Sequence, residues 1–211
     1  IKRILEGQSC AVITDAGMPC ISDPGEDLVR LCAQNGVEVV VVPGPSAAIS
    51  ALAISGLDTS RFAFEGFPSV AKRSRYEMFT SCAKEQRTLI FYEAPHKLIA
   101  TLEDMLRFFG DRKISICREL TKVHEQVIRT TLGEAVGIYG EDNPPRGEYV
   151  LIVEGCRAQE PELSNDEALE RARELVRGGM RLTDACKEAA KSSGLSKSEI
   201  YSALAGEKGD D

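Results

Sequence analysis

Short apolar runs that stop abruptly at small, acidic or proline residues, with helix-period segments between them, are what most restrict the folding of this chain. Residues 10–14 run into Asp15-Ala16-Gly17, and residues 37–42 into Pro43-Gly44-Pro45. Residues 88–92 end at Glu93-Ala94-Pro95, residues 113–117 at Arg118-Glu119, and residues 149–153 just before Gly155. Helix patterns occupy residues 26–35, 46–55, 74–83 and 95–109. The last puts Leu98, Ile99, Leu102, Met105, Leu106 and Phe109 on one face, between Pro95 and Gly110. Strands alternating with helices predict an α/β fold with largely parallel pairing. Residues 2–6 read as a helix tail feeding straight into the first strand, which has no neighbour before Val37. On that pattern, earlier strands are expected ahead of Ile1.

The end of the chain has a different texture. Residues 157–163, with Gln159, Glu160 and Pro161, read as a linker. Ser164 and Glu167 are spaced as a capping box, followed by an apolar face of Ala168, Leu169, Ala172, Leu175 and Val176 that stops at Gly178-Gly179. Thr183 is expected to open a second short helix, with Ala185, Cys186, Ala189 and Ala190 inward and Gly194 as C-cap. Ser196 and Glu199 form a second capping box, opening a helix through Ile200 and Leu204. Three short helices with a tight turn resemble a helix-turn-helix unit.

Composition narrows the function classes. At 211 residues, 43% hydrophobic and 28% charged, the chain has an ordinary globular make-up. Each apolar run is cut by a charge or glycine before it can span a bilayer, and the first residues lack a signal-peptide pattern, so a cytoplasmic protein is expected. Seven cysteines are scattered without a CxxC pair, which supports neither a zinc site nor a disulfide framework. Two histidines are too few for most catalytic metal sites, so no metal is expected. The net charge of −7 argues against general binding to phosphate backbones. Contact with nucleic acid then needs a local patch, for which Lys72-Arg73-Ser74-Arg75 is the candidate. The plain alternative is a solvated helix start.

In open α/β folds the ligand lies beyond the carboxyl ends of the strands, and four such ends here carry unusual residues. In the segment from Thr14 to Gly25, small residues let backbone approach a ligand and Asp15 can accept from ribose hydroxyls or an amine. Two consecutive turns account for the same residues, and neither a GxGxxG nor a Walker motif is present. Ser46 suits an N-cap, and the alanines after it let a helix start lie flush against a flat ligand. Glu93 and His96 flank another helix start, as an acid–base pair or as caps. Arg118-Glu119-Leu120-Thr121-Lys122 is either a surface ion-pair network or a set of cations and a base at a strand end.

Taken together and in order, these segments resemble the ribosomal RNA small subunit methyltransferase I family of the tetrapyrrole-methylase-like enzymes. The resemblance is carried by Asp15-Ala16-Gly17-Met18-Pro19 with Ser22-Asp23-Pro24-Gly25, Val42-Pro43-Gly44-Pro45-Ser46-Ala47, and Phe64-Glu65-Gly66-Phe67. It continues through Phe91-Tyr92-Glu93-Ala94-Pro95-His96, Arg118-Glu119-Leu120-Thr121-Lys122 and Gly147-Glu148 with Leu151-Ile152-Val153-Glu154-Gly155. It implies the two-domain tetrapyrrole methylase-like (class III S-adenosylmethionine methyltransferase) α/β fold plus a small C-terminal helical unit. Residues 1–58 would be the remainder of a truncated N-terminal domain, 59–156 the second domain and 157–211 the linker and helix-turn-helix-like tail.

The implied activity is 2′-O-methylation of a cytidine ribose in 16S rRNA of the small ribosomal subunit, with S-adenosylmethionine as cofactor, no metal, and usually a homodimer. By position, the cofactor contacts fall on Asp15, Ala16, Gly17, Cys20, Ser46, Ala47, Tyr92, Glu93 and Thr130. Met18 and Cys20 depart from the family's usual threonine and apolar residue. A ribose hydroxyl is a poor acid, so a base or a cation that stabilises the alkoxide is needed. Glu119 and Lys122 are the candidate pair, with Glu93 or Glu148 as alternatives. RNA contacts are expected at Lys72, Arg73, Arg75 and Arg118, with Lys122 at the cleft. The tail from Ser164 onward carries eight Lys and Arg against ten acidic residues, a poor balance for gripping a duplex. Two rival readings are a precorrin-type tetrapyrrole methyltransferase and a non-catalytic ribosome- or RNA-binding module.

Overall fold

A computed structural model of the chain describes residues 1–157 and 163–206. Five strands form one sheet: β1 (Phe62–Gly66), β2 (Thr88–Glu93), β3 (Lys113–Arg118), β4 (Gln126–Thr131) and β5 (Tyr149–Val153). Their order is β1-β2-β5-β3-β4. Only β1 and β2 pair in parallel, while β5 runs against both β2 and β3, and β4 against β3. This corrects the expectation of largely parallel pairing. All five residues of β5 are buried, and an unbroken apolar run is the usual mark of a parallel strand covered on both faces. An antiparallel strand covered on both faces leaves the same mark.

Two further expectations change. Residues 10–14 and 37–42 are not strands, and Ile13, Val40 and Val42 are 88%, 76% and 84% exposed. An apolar pattern makes a strand only where a ladder partner satisfies its backbone, and among the described residues neither segment has one. Conversely, β1 and β4 occupy the two edges of the sheet. Their half-exposed sequences mix polar and apolar residues, so they lack the apolar runs that mark β2, β3 and β5.

The helices of this part are α1 (Lys2–Leu5), α2 (Glu26–Gln34), α3 (Ala47–Ser55), α4 (Lys72–Cys82), α5 (Leu98–Phe109) and α6 (Leu132–Ala135), of which α3 to α6 pack on the sheet. Helix α4 starts two residues before the expected Ser74, and a single 3-10 turn, Pro95–Lys97, precedes α5. Strand alternation divides the core into two layers. Leu89, Phe91, Ile114, Ile116, Tyr149, Leu151 and Val153 pack against Phe79 of α4, Leu98, Leu102, Met105 and Phe109 of α5, and Leu132 of α6. Ile90, Cys117, Val150 and Ile152 point the other way, onto Ala48, Ala51 and Leu52 of α3. The far end of α3 is held from the sheet: Arg129 donates through Nε to the Ser55 carbonyl at 3.0 Å and through Nη2 to the Ile54 carbonyl. These two acceptors belong to the last turn, which has no partners within the helix.

Contacts divide the chain into two compact units, Ile1–Cys156 and Arg157–Asp211. The second contains α7 (Asn165–Arg177), α8 (Leu182–Ala189) and α9 (Lys197–Gly206) around a small core of Ala172, Cys186, Ala189, Ile200 and Leu204. The Ser164–Glu167 capping box forms in both directions. At α9, Ser196 and Glu199 exchange bonds of 2.7 and 3.2 Å. Helix α8 begins at Leu182 rather than Thr183, and passes through a 3-10 turn, Ala190–Ser192, to end at Ser193 rather than Gly194. Gln159, Glu160 and Pro161 of the expected linker lie outside the described residues. None of the seven cysteines is joined in a disulfide. No helix of the described residues is long and apolar enough to cross a membrane. Phe79, fully buried among Phe91, Phe108 and Phe109, anchors the larger core. In urea unfolding, Phe79→Ala is expected to cost about 3–5 kcal/mol. Val123→Ala, at a side chain 95% exposed, should stay within about 0.5 kcal/mol.

Candidate active site

Because β1, β2 and β3 share one direction and β4 and β5 the other, three C-terminal ends and two N-terminal ends lie along the same edge of the sheet. A single rung there joins Glu93, Tyr149, Arg118 and Gln126. The motifs at 92–96, 118–122 and 147–148, far apart in sequence, therefore converge.

Helix α3 begins at the same edge. The Ala48 N–H donates to the Tyr92 hydroxyl at 3.1 Å, and Phe64 and Phe67 hold the Tyr92 ring edge-on, at 4.9 and 5.4 Å between centroids. Ser46 occupies the N-cap position without making a side-chain cap bond. Apart from the Ala48 N–H, donors of the first turn thus stay open to a ligand. The loop from Thr14 to Gly25 closes onto this group. Met18 Sδ accepts from the Gly44 N–H at 3.2 Å, and a Cβ placed on Gly66 would lie 3.7 Å from Ser22 Oγ. The loop is tightly coiled, with Gly17, Cys20, Ser22 and Gly25 all at positive φ. Gly25 admits no side chain, since a Cβ there would stand 2.7 Å from Cys20 Sγ. Asp15 is exposed at the tip. Asp15, Ala16, Gly17, Cys20, Ser46, Ala47 and Tyr92 are in this way brought to one place.

Beside them sits a charged triad. Lys122 Nζ donates to Glu119 Oε1 at 3.0 Å and to Glu148 Oε2 at 2.9 Å. The Glu148 N–H adds a bond of 2.9 Å to the same Glu119 oxygen, and the Glu119 N–H donates to the Glu148 carbonyl at 3.0 Å. The Lys122 ammonium, then the Glu148 amide, hold the Glu119 carboxyl below its ordinary range. Hydrogen bonds to Glu148 and Glu119 raise the Lys122 ammonium above its own. At neutral pH the triad therefore presents a carboxylate of reduced basicity and a firmly protonated cation. Such a pair stabilises an oxyanion better than it removes a proton. Gly147 makes the arrangement possible: at φ +80°, a Cβ there would come within 2.5 Å of the Glu119 side chain. Sequence reasoning quoted Gly147 as part of a motif without assigning it this role. The signal was a glycine directly before an acidic residue at a strand start.

Residues 1–136 match the family model described as Tetrapyrrole (Corrin/Porphyrin) Methylases. A Synechocystis protein named "Ribosomal RNA small subunit methyltransferase I" is 41% identical over 203 residues, which cover 95% of this chain and 72% of that protein. Its namesake from Halalkalibacterium halodurans is 42% identical over 205 residues, covering 95% and 71%. The chain belongs to the ribosomal RNA small subunit methyltransferase I family. Among solved structures, the methyltransferase CobJ is similar at 21% identity and a TM-score of 0.49, over 66% of this chain and 62% of that one.

Three of the residues singled out from the sequence, Glu93, Thr130 and Arg75, sit differently in this methyltransferase-family chain, while Arg118 stays at the site edge. Glu93 was expected at the cofactor, or as an alternative base. Its carboxylate has no exposed surface and accepts from the Ala94 N–H at 2.8 Å, Thr101 Oγ1 at 2.5 Å and Lys97 Nζ at 2.9 Å. Strand alternation sends Tyr92 toward α3 and its neighbour Glu93 toward α5, so only one of the two can face the cofactor side. Thr130 pairs with Ile114 at the opposite end of β3, and its hydroxyl bonds Glu134. The antiparallel β3–β4 hairpin carries it away from the edge where the other residues meet. Arg75 was expected on RNA, but α4 turns it inward onto Asp104 at 2.7 Å, with both side chains under 15% exposed. It also donates to the Ser69 and Val70 carbonyls. Arg118 donates through Nε to the Arg146 carbonyl at 2.7 Å, at the site edge.

Among the described residues, no group of three or more His, Cys, Asp or Glu is placed to hold a metal ion.

Two measurements check these assignments. Arg75→Met should lower stability by about 3–5 kcal/mol, as expected when one partner of a buried pair is removed. Arg73→Met, at an exposed pair with Glu77, should change it by less than about 1 kcal/mol. Since the folded pKa of Glu119 is depressed, its contribution to stability is present above the unfolded value of about 4.3. It is lost as pH falls through the lower folded pKa. Carboxyl carbon NMR on Lys122→Met should show the Glu119 midpoint moving upward; an unmoved midpoint would exclude the ion pair.

Proposed function

We propose that this chain binds S-adenosylmethionine and methylates the 2′-hydroxyl of a cytidine ribose in 16S rRNA of the small ribosomal subunit, in the cytoplasm and as a homodimer. The observation that carries the reading is the meeting, at one sheet edge, of a small-residue loop, an open helix start and a fixed Lys122 ammonium. Membership of a methylase family and the names of relatives spanning 95% of the chain support it.

The residues present fit such a cofactor. Gly17 and Ala16 let the loop backbone approach a ligand closely, with Cys20 in the same turn. Exposed Asp15 offers a carboxylate to ribose hydroxyls or an amine. Ser46 and Ala47 start a helix whose open N–H groups suit a carboxylate or a ring nitrogen. Tyr92, bonded to the Ala48 N–H and wedged by Phe64 and Phe67, fixes that helix start against β2. When bound, S-adenosylmethionine supplies an electrophilic methyl on a sulfonium that carries its own leaving group.

The chain's own contribution is then alignment and charge. Positioning of two reactants can supply on the order of 7–11 kcal/mol at best. As the 2′-hydroxyl gives up its proton to solvent water, Lys122 stabilises the oxyanion that develops on the ribose, and Glu119 and Glu148 keep its ammonium in place. Glu119, with its lowered basicity, acts chiefly as a positioning residue. Lys72 and Arg73, both exposed, and Arg118 at the edge face the RNA.

Transfer of a labelled methyl group to small ribosomal subunits tests this reading. Lys122→Ala is expected to lower kcat by about 10²–10³-fold, with the KM for S-adenosylmethionine little changed. Full turnover by that variant would remove Lys122 from the mechanism. Calorimetric titration of the wild-type chain with S-adenosylmethionine should give saturable heat that Asp15→Ala weakens. No binding by the wild type would overturn the cofactor assignment. Methylation of a precorrin in place of ribosomal RNA would instead select the macrocycle reading.

A further inference from the structure

Outside the sheet-edge site, α4 and α5 carry a second chemical cluster at the margin of the core, with Tyr76 and Phe108 half-buried. Tyr76 and Phe108 meet edge to face, 4.8 Å between centroids. The Arg107 guanidinium stands 5.3 Å from the Tyr76 ring and 5.8 Å from the Phe108 ring, and Nη1 donates to the Tyr76 hydroxyl at 3.3 Å. Lys72 Nζ covers the Tyr76 ring at 5.3 Å. A shallow open groove of about 540 Å³ lies alongside, lined by Arg73, Tyr76, Glu77, Thr80, Ser81 and Phe108.

Charge decides what this groove suits. Among the described residues, neither Lys72 nor Arg107 has a carboxylate at ion-pair distance. Arg73 shares Glu77 at 3.0 Å in an exposed pair that salt weakens. Of the other nearby acids, Asp104 is taken by Arg75, and exposed Glu103, one turn before Arg107 on α5, is not within ion-pair distance of it. In a chain of net charge −7, three cations around an aromatic pair with one acid in the groove form a local exception. Aromatic faces interleaved with Lys and Arg are the arrangement that holds single strands, with bases stacked on rings and phosphates on cations.

We infer that the outer face of α4 and α5 is a docking surface for a single-stranded stretch of the RNA substrate. Bases stack on Tyr76 and Phe108, Lys72 and Arg107 turn from the rings to the phosphates, and Arg73 leaves Glu77 to join them. The inference rests on the ribosomal RNA reading given above and extends it to a surface separate from the reacting groups. Topology supports the continuity: α4 follows β1 and α5 follows β2, so both helices start at the site edge and run away from it. Arg107 and Phe108 stand in the last turn of α5, so the surface lies along the helices on the sheet face opposite α3.

Fluorescence anisotropy of the full chain with a short labelled single-stranded RNA tests the surface. Lys72→Glu with Arg107→Glu is expected to weaken binding at least tenfold. It should also flatten the plot of log affinity against log salt by about 1.4, from two lost phosphate contacts at about 0.7 each. Tyr76→Leu, which keeps the packing apolar, should weaken binding by about fivefold or more through lost stacking. Glu77→Gln should tighten it. Thermal unfolding followed by circular dichroism confirms that each variant is folded. Titration of the same proteins with S-adenosylmethionine keeps the two readings apart. Lost RNA affinity with cofactor affinity intact supports the surface. RNA affinity equal across the variants overturns it, whatever the cofactor titration gives. Displacement of the RNA by polyglutamate, in a manner that the charge reversals abolish but Tyr76→Leu does not, overturns it in favour of an acidic protein partner.

Discussion

The placement of β5 between β2 and β3, antiparallel to both and buried from end to end, is the constraint on which the rest of the first unit depends. A strand in that position needs apolar side chains on both faces, and Tyr149-Val150-Leu151-Ile152-Val153 supplies them in alternation. One face closes the core with α4, α5 and α6, the other meets α3. Its ladders also align the ends of its neighbours. The register that sets Tyr149 opposite Glu93 on one side and Arg118 on the other gathers residues of three separate motifs. The chemistry of the edge is a by-product of hydrogen-bond register.

Within that edge, the division of labour among charged groups follows from how many donors each carboxylate meets. Glu93 is enclosed and takes three donors, so it braces the turn that leads into α5. Glu119 takes two donors on one oxygen and remains at the surface of the loop, and Glu148 takes the second bond from Lys122. A lysine held between two carboxylates keeps its proton and its place. That is the property wanted of a cation facing a nascent alkoxide, and it is a different property from the basicity that a strand-end glutamate first suggests.

Much of this was legible in the sequence, for identifiable reasons. Helices α2, α3 and α5 and strands β2 and β5 are marked by periodicity and by the proline or glycine that follows them, and β3 by its apolar run alone. The capping boxes at Ser164 and Ser196 were equally plain, because both partners of each lie within four residues. The gathering of Asp15, Ser46, Tyr92 and Glu119 rested on motif order, which resemblance supplied. What stayed hidden depends on partners remote in sequence. Residues 37–42 have the composition of a strand, but no ladder partner among the described residues. Thr130 required the direction of β4, and β4 is an edge strand with a weak pattern. Arg75 differs from Arg73 by two positions, and only the angular position of each on α4 separates a buried brace from an exposed cation.

Helix α3 is secured at both ends by side chains from the sheet beneath it. Tyr92 of β2 receives the N–H of Ala48 at its start, while Arg129 of β4 holds the carbonyls of Ile54 and Ser55 at its finish. Two fastenings on strands at different distances across the sheet prevent the helix from sliding along its axis or swivelling about a single pin. The wall of the pocket formed by α3 is thus stationary. Any widening needed to admit or release a bulky ligand falls to the loops at 14–25 and 43–45, which are joined to each other by the contact between Met18 and Gly44. A thioether is a weak acceptor, so that contact restrains the two loops less than the two fastenings restrain α3.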